Sequence, residues 1–247
     1  LGTEPPELDP AKVIDLTSFT VIQNILRGLT QFGIGQEIIP AVAERWDISK
    51  DGLVYTFHLR KNAKWSDGQP VTTKDFVYAW KRALDPNFGA DYVFFLFEIK
   101  NAKKYYDGKT TFDQVGIDAI NNHTLRVTLE RPVAFFLGLM AAPIALPLRE
   151  DMVTAHGESF TEAKNYITNG PFVMEGWQHE EKITLKPNPH YYGKKPAIDA
   201  VEMFMVNDPN TSVVMYENGE LDFIETTTSI PTFDVRRLKN FPEAKQK

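Results

Sequence analysis

The chain has 247 residues, and 27 Lys and Arg against 33 Asp and Glu leave a formal charge of −6 at pH 7. Hydrophobic residues at 43% and charged residues at 24% suit a globular chain long enough to bury a sizeable core, and exclude disordered and collagen-like classes. The acidic balance argues against nucleic acid, and the absence of cysteine removes disulfides, thiolate metal sites and cysteine nucleophiles. The longest apolar runs, 93–97 and 133–137, fall far short of the ~20 residues of a membrane-spanning helix. The chain begins at Leu1 without a charged and apolar leader, so any targeting segment is expected to have been removed or never built.

In chain order, a short helix is predicted over Phe19–Leu26, followed by a hairpin turn at Gly33-Ile34-Gly35. Leu53, Tyr55, Phe57 and Leu59 alternate with Val54, Thr56, His58 and Arg60, the period of a half-buried strand. Ser49-Lys50-Asp51-Gly52 joins that strand to Trp46-Asp47-Ile48, because Asp-Gly readily takes positive φ. Thr72 and Asp75 read as a capping box, and Phe76, Val77, Trp80, Ala83 and Leu84 then fall on one helical face, stopped by Asp85-Pro86. A second hairpin is predicted from Ile117–Ile120 into Thr124–Leu129, a short helix over Val133–Met140, and a third hairpin from Phe172–Trp177 into Lys182–Lys186. Asp208-Pro209 opens a last helix, closed by Gly219. Frequent hairpins make this a mixed α and β chain rather than a doubly wound sheet, and the prolines clustered after residue 140 suggest a substructure starting near Leu148.

Signals for catalysis are at background. The Gly33-Ile34-Gly35 pair lacks the third glycine of a dinucleotide fingerprint, since position 38 is Ile. His58, His123, His156, His179 and His190 are scattered, with no pair at metal-ligand spacing, and read as surface or hydrogen-bonded histidines. Gly157-Glu158-Ser159 fails the nucleophile-elbow spacing at Thr161, and Glu180 with Glu181 reads as a pair of solvated turn charges. Trp46, Trp65 and Trp80 read as core anchors in preference to a ligand platform. No enzyme activity, cofactor or metal is expected.

Residues 43–46, Tyr55-Thr56-Phe57-His58-Leu59-Arg60, Ala63-Lys64-Trp65-Ser66-Asp67-Gly68, Pro70-Val71-Thr72, Asp75-Phe76-Val77-Tyr78 and Trp80 form a run that strongly resembles the extracytoplasmic oligopeptide- and dipeptide-binding proteins of ABC importers, solute-binding protein family 5. Leu8-Asp9-Pro10, Thr168-Asn169-Gly170-Pro171-Phe172, Asn188-Pro189-His190-Tyr191-Tyr192 and Gly219-Glu220-Leu221-Asp222 continue the match in the family's order. The resemblance implies an α/β (mixed α+β) clamshell of the periplasmic-binding-protein type II kind, represented by its N-terminal portion: residues 1–29 and 149–247 as a partial first lobe, 30–148 as an inserted hairpin-rich domain, and the second lobe absent.

It also implies a function: capture of short peptides in a cleft and delivery to an ABC permease in the membrane, by a periplasmic or extracytoplasmic monomer. Lipid anchoring through a removed N-terminal segment is compatible with it. Alternatives are the same fold binding an oligosaccharide, a nickel chelate or haem, or an adhesion or signalling role without transport. Carried over by position, the peptide contacts fall on the ligand strand at Val13, Ile14, Asp15 and Leu16, on Tyr92 from the inserted domain, and on Thr226 and Thr227 in a polar loop. Main-chain pairing with an extended peptide supplies affinity without reading its sequence. The competing readings are a core strand for 13–16, packing with Phe94 and Phe95 for Tyr92, and a plain turn for the two threonines.

Overall fold

A computed structural model describes residues 1–224; the contacts expected at Thr226 and Thr227 lie outside the described residues. The elements in order are α1 (Leu16–Ile25), β1 (Thr30–Phe32), β2 (Ile38–Pro40), β3 (Ala43–Ile48), β4 (Val54–Leu59), α2 (Thr73–Ala83), α3 (Ala102–Tyr106), β5 (Ile117–Asn121), β6 (Thr124–Thr128), α4 (Phe136–Leu139), α5 (Glu150–His156), β7 (Phe172–Gln178), β8 (Lys182–Pro187), β9 (Val201–Phe204) and α6 (Pro209–Glu217). They build three antiparallel sheets: the pair β1-β2, a four-stranded sheet in the order β3-β4-β6-β5, and a three-stranded sheet β7-β8-β9.

All three predicted hairpins form. The β3–β4 turn places Gly52 at φ 72, and register pairs Trp46 with Phe57 and Ile48 with Tyr55. Tyr55, Phe57 and Leu59 face the core, while the opposite face carries polar pairs such as His58–Asp47 at 2.7 Å and Arg126–Asp118 at 3.2 Å. The capping box of α2 is present, with the Thr72 N–H donating to Asp75 Oδ2 at 2.7 Å. Burial raises the Asp75 carboxyl, opposed by donors from Thr72 and the Trp65 indole. Phe76, Trp80, Ala83 and Leu84 are buried as the spacing predicts; Ala79 joins them, and Val77 is only half-buried. Trp65 and Trp80 are fully enclosed and make their N–H bonds to Asp75 and to the Ala145 carbonyl. Burying each such side chain stabilises the fold by roughly 1.5–3 kcal/mol or more.

Three expectations are corrected. No strand runs through 13–16: Asp15 accepts the Ser18 N–H at 2.8 Å and caps α1, so the helix opens at Leu16, three residues before the expected Phe19. Asp15 itself keeps extended backbone at φ −115 and ψ 157, and Val13 and Ile14 ahead of it have no partner strand among the described residues. The helix expected over Val133–Met140 shrinks to Phe136–Leu139, with Gly138 inside it and Pro143 close behind. Among the elements not foreseen are the 3-10 turn Val93–Glu98, the short helices α3 and α5, and the edge strand β9.

One core runs from Leu8 to Leu185, and the quoted motifs supply its joints. Asp9 is 4% exposed and meets Arg82 in a two-pronged ion pair at 3.0 and 2.6 Å. The Tyr166 hydroxyl donates to the Leu8 carbonyl at 2.7 Å, and burial, with the Asp9 charge nearby, holds that phenol far above its usual range. Asn169 exchanges two bonds with the main chain of Arg27, and the Gly170 N–H donates to the Ile25 carbonyl at 2.7 Å. A Cβ on Gly170 would stand 2.4 Å from the Ile25 carbonyl carbon. Ser66 and Thr168 bond to each other at 2.7 and 3.2 Å, and Asn188 bonds the main chain at Gly170 and Pro171.

Two outcomes follow from this packing. Asp9→Asn leaves Arg82 without its counter-charge in a buried site and should lower unfolding free energy by about 3 kcal/mol in urea titrations. Gly170→Ala forces backbone apart at the crossing of α1 and should cost about 1–3 kcal/mol by the same measurement.

Candidate functional site

The candidate site grows from the Asp9 joint. Asp9 Oδ1 also accepts the Ala11 N–H at 3.1 Å, and the Lys12 N–H returns to the Asp9 carbonyl at 2.9 Å, closing a tight turn. The Arg82 guanidinium lies 4.0 Å above the Phe88 ring, and the Lys12 ammonium sits 5.4 Å from the same ring. The 9–12 turn, the end of α2 and the loop after Asp85-Pro86 are therefore one rigid joint, from which both candidate segments emerge.

The first segment is 13–16. Val13 is buried, whereas Ile14 and Leu16 are 62% and 54% exposed. Among the described residues, the main-chain N–H and C=O groups of Val13 and Ile14 take part in no hydrogen bond. Buried backbone polar groups are nearly always paired, so the free main-chain groups of buried Val13, beside exposed apolar side chains, are an unusual combination. Asp15 spends Oδ1 on the helix cap, and its Oδ2 is buried without a partner.

The second segment starts at Tyr92, which precedes the 3-10 turn Val93–Glu98. Its ring stacks on Phe95 at 5.3 Å and meets Phe94 edge-on at 5.7 Å, the two partners named by the competing reading. Yet Tyr92 stays 38% exposed and Phe94 51% exposed, so the trio is a surface cluster rather than core. Phe94 was missed from the sequence; its place in an apolar run gave no sign that it would face outward. The Arg82–Asp9 pairing was equally hidden, since 73 residues separate the partners.

Among the described residues no group of three or more His, Cys, Asp or Glu could hold a metal ion, and no helix is long and apolar enough to cross a membrane. The geometry offers pairing and packing, through free backbone groups and exposed aromatic faces.

Residues 37–246 match the family described as bacterial extracellular solute-binding proteins, family 5, middle. The chain is 40% identical over 220 residues to the dipeptide-binding protein DppE of Bacillus subtilis, covering 89% of this chain and 40% of that protein. Among solved structures, an oligopeptide ABC transporter substrate-binding domain from Bacillus anthracis superposes with a TM-score of 0.91 at 38% identity, covering 98% of this chain and 46% of the other. Haemophilus influenzae OppA in complex with RPPGFSPFR gives a TM-score of 0.90 at 33% identity, covering 96% and 47%. The chain thus spans less than half the length of these relatives.

The joint predicts one stability outcome. Asp15→Ala removes the α1 cap and should cost about 1 kcal/mol in thermal or urea unfolding, with Asp15→Asn recovering most of it. The mixed α+β architecture, the motif order and the match over 37–246 agree, and the chain belongs to the bacterial extracellular solute-binding proteins of family 5.

Proposed function

We propose that this chain is the N-terminal portion of a solute-binding component of an ABC importer, which captures short peptides in a cleft and hands them to a membrane permease. The observation that carries the reading is the pair of unbonded main-chain positions at Val13 and Ile14, next to exposed Ile14 and Leu16. An extended peptide satisfies such groups by main-chain pairing, whatever its sequence. Val13, Ile14, Asp15 and Leu16 line one side in this reading: Val13 through its backbone, Ile14 and Leu16 through backbone and side chain. Asp15 holds the segment in place as the helix cap. Tyr92 supplies a flat apolar face and a hydroxyl from the other side, and Thr226 and Thr227 complete the contacts. Peptide-bound relatives of the same fold support the choice of ligand class.

We divide the chain at 1–29 with 149–247 as part of one lobe and 30–148 as an inserted domain, a reading supported by the four-stranded sheet lying wholly within 43–128. The protein acts outside the cytoplasm, as a monomer, without catalysing a reaction.

Calorimetric titration of the purified full-length protein with short peptides, oligosaccharides, a nickel chelate and haem tests the reading. Peptides should bind, and Tyr92→Ala should weaken them about tenfold, or ~1.4 kcal/mol. Binding of a sugar, chelate or haem alone defeats the peptide assignment, and sustained cleavage of the peptides defeats the non-catalytic one.

A further inference from the structure

Residues 1–7 form a strap that ends at the buried Leu8 and Asp9 and runs past the β7–β8 turn. Pro5 and Pro6 carry no N–H, so the strap can make few main-chain bonds of its own. Its far end is held where the Val206 N–H donates to the Leu1 carbonyl at 3.0 Å. Between these ends, among the described residues, the hydrogen bonds fastening 2–6 run through one side chain, Glu4. Its Oε1 lies 2.6 Å from His179 Nδ1, and its Oε2 accepts the Glu180 N–H at 2.9 Å. Glu180 holds φ at 62, in the left-handed region, in the turn that delivers that N–H.

The other ring nitrogen of His179 faces a second carboxylate, Glu162 Oε2, at 3.5 Å. The imidazole also lies 4.5 Å from the Trp177 ring, which leaves the two ring nitrogens as its polar outlets. The charged groups around it are Glu4 and Glu7 from the strap, Glu162 from the segment before β7, and Glu180 and Glu181 from its own turn. Among the described residues lining the open groove at this place there is no lysine or arginine. A neutral imidazole has one N–H and can serve one of the two flanking carboxylates, whereas an imidazolium has two and serves both.

We propose that His179 is a proton-operated clasp, which fastens the N-terminal strap to the β7–β8 turn and the Glu162 segment when protonated and loosens it when neutral. The hydrogen bond that the ring donates to Glu4, with the Glu162 charge behind it, raises the histidine above the ordinary value of 6.5. The stabilisation is therefore complete below that ordinary value and is lost as pH rises through the raised one. The strap is fastened fully in mildly acidic surroundings and more loosely in alkaline ones, where the Glu180 N–H still holds Glu4, with no change to the core joint at Asp9.

NMR titration of the purified protein tests the clasp. In the unsubstituted protein the His179 ring should titrate above 6.5, the Glu180 amide should follow the same midpoint, and the order of the Thr3 amide should fall as pH rises through it. Glu4→Gln should move the His179 midpoint down toward the ordinary value, Glu162→Gln should move it less, and His179→Gln should make Thr3 order independent of pH. A His179 midpoint at or below 6.5, a midpoint unmoved by Glu4→Gln, or a Thr3 amide equally ordered on both sides overturns the proposal.

Discussion

The buried ion pair of Asp9 with Arg82 is the constraint on which the rest of the molecule turns. A desolvated carboxylate is tolerable only when its lone pairs are filled, and here a guanidinium fork and the Ala11 N–H share that task, while the Asp9 N–H donates to Glu7 and braces the turn. Arg82 in turn sits over the Phe88 ring and near Phe160, so one cation joins the N-terminal turn, the end of α2 and the loop beyond it. Remove either charge and three otherwise independent segments lose their common reference.

The motifs by which the family is recognised act mostly at such joints. Ser66 and Thr168 bond across the fold, Asn169 pairs with the Arg27 main chain, Gly170 lets α1 approach, and Asn188 holds the Gly170–Pro171 turn. Each is a polar group or a missing side chain at a point where two backbones meet, and these points accept few substitutes. The proposed ligand contacts have the opposite character: they are main-chain groups and exposed apolar surface, which tolerate many side chains. That difference explains why the fold leaves a sharp signature in the chain while the binding site leaves a faint one.

The same logic separates rigid from adjustable parts. The core joint centres on a carboxylate almost fully buried and held by a two-pronged ion pair, whereas the N-terminal strap beyond Leu8 is fastened at its middle by an exposed histidine and two carboxylates. Exposed pairs of that kind add little stability and respond to pH and salt, which suits a fastening that opens and closes without disturbing the core.

The sequence by itself determined the local elements: three hairpins from alternation and turn residues, the capping box of α2, the Asp208-Pro209 helix start, and the enclosed Trp65 and Trp80. These rest on interactions within a few residues, which periodicity reports directly. Of the candidate site the chain showed less: Tyr92 lies at the surface, and Val13–Leu16 is not the strand the match suggested, since the Asp15–Ser18 bond opens α1 at Leu16 and residues 13–14 have no partner strand among the described residues. Tertiary structure alone decided which apolar residues stay outside, Ile14, Leu16 and Phe94, and which charges meet, Asp9 with Arg82 and His179 with Glu4. Partners 73 and 175 residues apart leave no periodic trace, since only the packing of the intervening core brings them within hydrogen-bond reach.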